Sequence, residues 1–297
     1  MCPISNEQAS TWRELWNETT SLLGDEKEAR WICEEASGLE GSEFLESLNE
    51  PATMRMGVSL QAMVGRRLAG EPVQYVLGQW PFRHIDLLID QRVLIPRPET
   101  EQVVEAALNC ARQLRSDGHM LRIADIGTGS GAIGLSMANE LPYDNTEVWL
   151  SDISTDALDV ARANIAGIGR NARNVRVTEG SWCAGLPREL RGSFQVIVSN
   201  PPYIDEADPL VEDSVRTWEP HIALFSPNQG LRDVLGIAQE AREFLAPGGY
   251  LVCEMGFQQG DVLRTEFAQL GYAHVEVRQD FAGLDRVVMG QWATNAE

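Results

Sequence analysis

"ADIGTGSGAIGLSMA", residues 124–138, runs from the end of an apolar strand through a glycine-rich turn and straight into a helix. Gly127, Gly129 and Gly131 turn the backbone tightly and leave no side chain between the main chain and anything bound above it. A strand, a glycine turn and a helix in that order open a parallel α/β unit, whose ligands lie at the carboxyl ends of the strands. Gly129, Gly131 and Gly134 also satisfy Gly-x-Gly-x-x-Gly, which alone points only to a nucleotide-like ligand. The turn decides the fold.

Outward from it, the strand candidates are "RIADIG", "EVWLSDI", "NVRVTEG", "FQVIVSN", "GYLVCEMG", "HVEVRQ" and "RVVMGQ". Helical segments, notably "STDALDVARANIAGIG" and "LRDVLGIAQEAREFLAPGG", separate the earlier ones. This alternation predicts a doubly wound, mostly parallel seven-stranded sheet of Rossmann-like α/β type. The last two strands are joined only by "DFAGLD", too short for a crossover, so they run antiparallel. Upstream, "RPETEQVVEAALNCARQL" reads as a helix with Pro98 and Glu99 in its first turn. "WPFRHIDLLID" and "QRVLIP", separated by Asp90-Gln91, read as a hairpin. Before it, "TWRELWNETTSLL" and "EKEARWICEEASGL" carry apolar residues at helical spacing, the second closing on Gly38. "SLQAMVGRRLAG" predicts a third helix opening on a Ser59 cap. The expected organisation is a small helical bundle over 1–78, a β-hairpin linker over 79–96 and the α/β domain over 97–297.

The 297 residues suffice for two domains with a sizeable core. Five scattered cysteines, Cys2, Cys33, Cys110, Cys183 and Cys253, read as free thiols in a reducing compartment. The four histidines are equally scattered, so no structural metal is expected. No signal peptide or membrane-spanning run stands out, and a cytoplasmic protein is expected. A formal charge of −20 repels phosphate backbones, which argues against direct nucleic-acid binding.

Asp152 ends the second strand of the α/β domain in "WLSDIS". A carboxylate there accepts hydrogen bonds from both hydroxyls of a ribose, which fits NAD and S-adenosylmethionine alike. The competing reading, a helix cap, is better served by Ser154.

The fourth strand narrows the choice. "VIVSNPPYI", residues 196–204, delivers a buried strand into Asn200-Pro201-Pro202-Tyr203. Each of Asn200 and Pro201 precedes a proline and is pushed toward extended geometry. The prolines have fixed φ and no N–H, so nothing local competes for the carbonyls. The result is a bracket of two acceptors, the Asn200 side-chain oxygen and the Pro201 carbonyl, suited to a planar NH2 group, with Tyr203 lying flat against its plane. Such a nitrogen is a poor nucleophile. Methylating it needs aim and stabilisation of the developing charge more than a strong base. Hydride transfer needs no such bracket, so the nicotinamide reading falls behind.

With these residues in view, the chain resembles the HemK/PrmC family, the peptide chain release factor glutamine N-methyltransferases. The resemblance covers nearly the whole length: "GEPVQYVLG" (70–78), "VLIPRPETE" (93–101), "DIGTGSGAI" (125–133), "SNPPYI", Glu219-Pro220 before Ala223-Leu224, and "DRVV" near the end. It implies a class I methyltransferase fold and S-adenosylmethionine held by Gly127, Thr128, Gly129, Ser130, Gly131, Asp152, Trp182 and Asn200. It implies that Asn200, Pro201, Pro202 and Tyr203 bind the glutamine amide of a Gly-Gly-Gln loop, with Asn200, Pro201 and Tyr203 catalytic. Arg97 and Glu99 are expected to shape the same cleft, and the helical bundle to help recognise the protein substrate. Family members often carry an acidic residue before the tryptophan, where this chain has Ser181. Alternatives are a ribosomal-protein glutamine methyltransferase and an adenine-N6 nucleic-acid methyltransferase, which shares the Asn-Pro-Pro-Tyr tetrad.

Overall fold

The computed structural model describes residues 10–116 and 118–293, so Cys2 lies outside the described residues. The backbone forms two units, one ending at Gln79 and one starting at Trp80. The first holds α1 (Trp12–Leu23), α2 (Glu26–Ser37), α3 (Gly41–Glu46), α4 (Met54–Leu68) and α5 (Val73–Leu77). A capping box between Thr11 and Glu14 starts α1, and Gly38 closes α2 in the left-handed conformation at φ 70°. Trp12, Ile32, Phe44, Leu60 and Val76 meet in one apolar core, with Trp12 and Phe44 edge to face at 6.0 Å. The expected Ser59 cap is corrected. The helix begins at Met54, where the Thr53 side chain accepts from the Met56 amide, and Ser59 lies inside it. "GEPVQYVLG" also gains a reason. Buried Glu71 takes both prongs of Arg66 at 2.8 and 2.6 Å, and the same guanidinium donates to the Tyr75 carbonyl at 2.8 Å.

β1 (Gln79–Phe82) and β2 (Ile85–Leu88) form a two-stranded sheet. A strand over 91–96 does not form; the reversal falls at Arg83-His84, with Arg83 at φ 52°. The Arg83 guanidinium pairs with Glu140 at 2.6 Å and Glu105 at 3.1 Å, which anchors the turn. α6 (Thr100–Leu114) follows, with Pro98 and Glu99 in the turn just before it.

The rest alternates as β3 (Leu121–Ile126), α7 (Ala132–Glu140), β4 (Thr146–Asp152), α8 (Thr155–Ile168), β5 (Val175–Glu179) and β6 (Phe194–Ser199). Then come α9 (Asp213–Trp218), α10 (His221–Leu224), α11 (Arg232–Phe244), β7 (Leu245–Glu254), α12 (Gly260–Gln269), β8 (Tyr272–Gln279) and β9 (Asp285–Trp292). "LAPGG", read as the end of a helix, instead opens β7. The seven strands lie in the order β5-β4-β3-β6-β7-β9-β8, parallel except for β9, which is antiparallel to β7 and to β8. The sheet is therefore of the mixed, mostly parallel kind read from the sequence. Val196, Ile197 and Val198 of β6 are fully buried, which is why that strand is apolar without alternation.

Connectivity positions the site. From β3 the chain winds outward through β4 and β5, then crosses back to β6 on the other side of β3. Ile126 is in register with Ser151 on one side and Ser199 on the other. The glycine turn, Asp152 and Asn200 therefore leave the same edge side by side, at the switch point where open α/β sheets bind ligands.

Candidate functional site

At that edge lies a cleft of about 490 Å³, within the usual range for small-molecule sites. Gly127, Thr128, Gly129, Ser130, Asp152, Ser181, Trp182, Asn200 and Pro202 line it, together with Thr100 and residues from 91–96 and 220–225. Gly131, Pro201 and Tyr203 do not. Arg97 and Glu99 are not in the lining either, although their neighbours Pro96 and Thr100 are. Arg97 instead donates to buried Glu219, whose second oxygen accepts from the Ile95 amide at 3.2 Å. That pair ties "IPRPET" to "EPHIAL", which supplies the far wall.

The glycine turn is held from below. Gly127, Gly129 and Gly131 have φ of 69°, 56° and 87°, where an L side chain is strained. Gly134 is required for space, since a Cβ would stand 2.2 Å from Leu150 Cδ2. Asn164 of α8 donates to the Ser130 carbonyl at 2.8 Å and to the Leu88 carbonyl at 3.0 Å. Asp125, fully buried, accepts from Thr128 Oγ1 at 2.6 Å and from the Gly134 amide at 2.9 Å through one oxygen. Its other oxygen has no partner, and burial pushes the carboxyl up to about 6. The folded state thus keeps a proton that the unfolded chain gives up near pH 4. That stabilisation is complete below pH 4 and is lost as pH rises through about 6. Relative to Asp125→Asn, wild-type unfolding free energy should fall between pH 4 and 7 by an amount on the order of 2–3 kcal/mol. Urea melts of both proteins across that range measure it, and parallel curves would refute it.

Asp152 accepts from the Gly129 amide at 2.9 Å through one oxygen and from the Ser154 amide at 2.9 Å through the other. Ser154 caps α8, its side chain accepting from Ala157. Asp152 is therefore not the cap, and each of its oxygens keeps a lone pair for a ligand. Burial raises its pKa. Trp182, at φ 47°, sets its ring across the glycine turn, such that a Cβ on Gly127 would touch it at 3.4 Å.

The tetrad sits in a polar cage. Ser199 Oγ donates to the Ile126 carbonyl at 2.6 Å, stitching the two loops together at their roots. Asn200 Nδ2 donates to Thr100 Oγ1 at 3.3 Å, and Thr100 Oγ1 donates to Glu254 Oε2 at 2.7 Å. The Tyr203 hydroxyl donates to Glu254 Oε1 at 2.9 Å, and the Tyr203 carbonyl accepts from Gln259 Nε2 at 3.0 Å. Among the described residues, Asn200 Oδ1 and the Pro201 carbonyl accept no hydrogen bond. Both oxygens are therefore free of protein partners, the first on a residue that lines the cleft and the second on the residue after it.

Residues 14–78 match the model of the PrmC N-terminal domain, and residues 105–216 that of the methyltransferase small domain. The release factor glutamine methyltransferase of Aliivibrio fischeri is 41% identical over 237 residues, 80% of each chain. The chain belongs to the HemK/PrmC family of release factor glutamine methyltransferases. The Escherichia coli member is 33% identical across 94% of this chain and 97% of its own. Among solved structures, the hMettl16 catalytic domain in complex with the MAT2A 3'UTR hairpin 6 covers 82% of this chain and 83% of its own. Its TM-score is 0.52 at 12% identity, a likeness of fold alone.

The sequence reading missed Thr100, Asn164 and Glu254, which support the site through the hydrogen bonds above, and Gly230, which packs so closely on the Tyr203 carbonyl that a Cβ there would stand 1.9 Å from it. Glu254 had a readable signal. "LVCEMG" ends an apolar strand on an acid, as "WLSDIS" does with Asp152. Thr100 carried none, because its role depends on a partner 154 residues away. Among the described residues no group of three His, Cys, Asp or Glu is placed to hold a metal, and Cys33, Cys110, Cys183 and Cys253 are free and buried. No described helix is long and apolar enough to cross a membrane.

Proposed function

We propose that this chain transfers a methyl group from S-adenosylmethionine to the side-chain amide nitrogen of the glutamine in the Gly-Gly-Gln loop of peptide chain release factors. The observation that carries this reading is a pair of acceptors with no protein partner, Asn200 Oδ1 on a residue lining the glycine-rich cleft and the Pro201 carbonyl next to it in the chain, in a member of this family. We extend it to the domains: residues 1–78 help recognise the protein substrate, 79–96 link, and 97–297 hold cofactor and catalysis. The expected place of action is the cytoplasm, where thiols stay reduced.

The residues fit the cofactor. The turn over Gly127, Thr128, Gly129, Ser130 and Gly131 admits close backbone approach, and the left-handed φ of Gly127 keeps a side chain out of it. Asp152 retains lone pairs for two ribose hydroxyls, with its rotamer fixed by Gly129 and Ser154. The Trp182 ring offers a flat apolar face for adenine, and Asn200 closes the cofactor side of the cleft. S-adenosylmethionine supplies an electrophilic methyl carbon when bound.

The chain's own residues prepare the amide. Asn200 Oδ1 and the Pro201 carbonyl each accept one N–H, which fixes the plane of the NH2 group and leaves its face open. Pro202 stiffens the bracket. Tyr203, its ring fixed by Glu254, is the flat wall against the amide. As the nitrogen bonds the methyl carbon, whose old bonding pair stays on sulfur, it gains positive charge that the two oxygen dipoles stabilise without reorganising, and its surplus proton then passes to solvent. Incubation with labelled S-adenosylmethionine and a release factor, followed by mass spectrometry of the peptides, should place one methyl group on that glutamine. A Gln→Ala loop variant of the release factor should take up none. Label on that variant, or in added RNA or DNA instead, overturns the reading.

A further inference from the structure

We propose that Glu254 is a positioning residue: acting through the Thr100 hydroxyl, it dictates that Asn200 turns its oxygen, and not its NH2, toward the cleft. The inference rests on the reading of Asn200 as an acceptor for the substrate amide. An asparagine amide has nearly the same shape either way round, so only its neighbours decide which end faces the ligand. A reversed amide would present donors to donors.

The register places the three groups together. Ser199 pairs with Cys253, so the residues that follow, Asn200 and Glu254, leave adjacent strands β6 and β7 at the same edge. Glu254 is fully buried. A carboxylate only accepts. Its Oε2 takes the single Thr100 proton at 2.7 Å and its Oε1 takes the Tyr203 proton at 2.9 Å. Thr100 Oγ1 then has only lone pairs to show Asn200, which answers with Nδ2 at 3.3 Å. Oδ1 is left for the cleft. Burial raises the Glu254 pKa and nearby Glu99 adds to the rise, while the two hydroxyls and the Arg286 guanidinium oppose it; the assignment of Glu254 as acceptor rests on those two donated protons. Burying a carboxylate is costly, so its presence here calls for a role beyond filling space. What a carboxylate adds is polarity, passed along one hydroxyl.

Glu254→Gln tests this with little change of shape. Its NH2 can donate to Thr100 Oγ1, which frees the Thr100 proton to seek Asn200 Oδ1 and inverts the amide. The expected result is a kcat lowered at least about tenfold, with S-adenosylmethionine affinity within about threefold of wild type by titration calorimetry. Thr100→Val should fall comparably, and Thr100→Ser should recover most of that loss. Because both residues act along one path, Thr100→Val with Glu254→Gln should be no worse than Thr100→Val alone. Should Glu254→Gln fail to fold, the Val and Ser variants of Thr100 decide. Equal kcat in wild type and Glu254→Gln, equal loss in the Ser and Val variants, or losses that multiply in the double variant each overturn the proposal. If Asn200→Ala keeps full activity, the acceptor reading itself has failed. If Asn200→Ala is inactive and Glu254→Gln is not, only the positioning role has.

Discussion

Replacing Asn200 with alanine should lower kcat about a hundred- to a thousandfold while S-adenosylmethionine still binds within a few-fold of wild type. The magnitude follows from removing one preorganised dipole aimed at charge that develops in the transition state. Asn200 offers an oxygen that, among the described residues, accepts from no other group, and its NH2 is already spent on Thr100. Truncation therefore removes half of the bracket without exposing a new buried charge. The ligand contacts assigned to the cofactor lie mostly on other strands: the glycine turn follows β3, and Asp152 ends β4. The turn is held by Asp125 and Asn164, and Asp152 by the Gly129 and Ser154 amides, none of which shares a hydrogen bond with Asn200. Single-turnover methylation with saturating cofactor, beside titration calorimetry, separates the two effects. A variant that retains more than about a tenth of wild-type kcat, or that loses cofactor binding in proportion, would show that Asn200 is not the acceptor argued for.

How much of this was legible depended on whether a signal was local. The turn at Gly127 to Gly131 could be read because glycine is the residue for left-handed φ, and all three positions adopt it. The bracket at Asn200 could be read because two prolines fix the backbone regardless of what surrounds them. The central strands were visible as apolar runs, since a sheet buried on both faces needs them, and the edge strands β5 and β8 as short alternating runs with one face open. The errors fell where a competing neighbour decides. Ser59 looked like a cap, yet Thr53 is followed by Met54, Arg55 and Met56, all good helix formers, and the helix nucleates there. "QRVLIP" looked like a strand, yet among the described residues it forms none; Val93 and Leu94 line the cleft instead. The network behind Asn200 was invisible for a different reason. Thr100, Asn200 and Glu254 are spread over 155 residues, and only the β6–β7 register with the start of α6 makes them one device.

Adding a single methyl group at Gly230 should be nearly as damaging as removing Asn200, although Gly230 does not line the cleft. Asn228, Gln229 and Gly230 are successive left-handed residues at φ 58°, 56° and 79°. A Cβ on Gly230 would stand 1.9 Å from the Tyr203 carbonyl oxygen and 2.6 Å from Gln259 Nε2. The obstacle is backbone, so no rotamer change relieves it. Either the turn at 226–230 opens, which breaks the hydrogen bond that the Gly230 N–H donates to the Ser226 carbonyl, or Tyr203 is pushed off Gln259. The second moves the chain two residues beyond Pro201, and the first takes away the turn packed against it. Left-handed strain and the clash together should cost about 2–4 kcal/mol, lowering Tm by roughly 5–10 °C. A displacement near 1 Å at the bracket should cost kcat at least about tenfold, and up to a hundredfold. Cofactor binding should survive, because the glycine turn and Asp152 are anchored independently. Gly236→Ala is the matched control: Gly236 lies in α11 with nothing within 4 Å of an added Cβ, and helix propensity should hold its Tm level or raise it. Differential scanning calorimetry and single-turnover rates on the two variants decide the matter. A Gly230→Ala protein that melts and turns over like Gly236→Ala would mean that the Tyr203 carbonyl is not held where the bracket requires it.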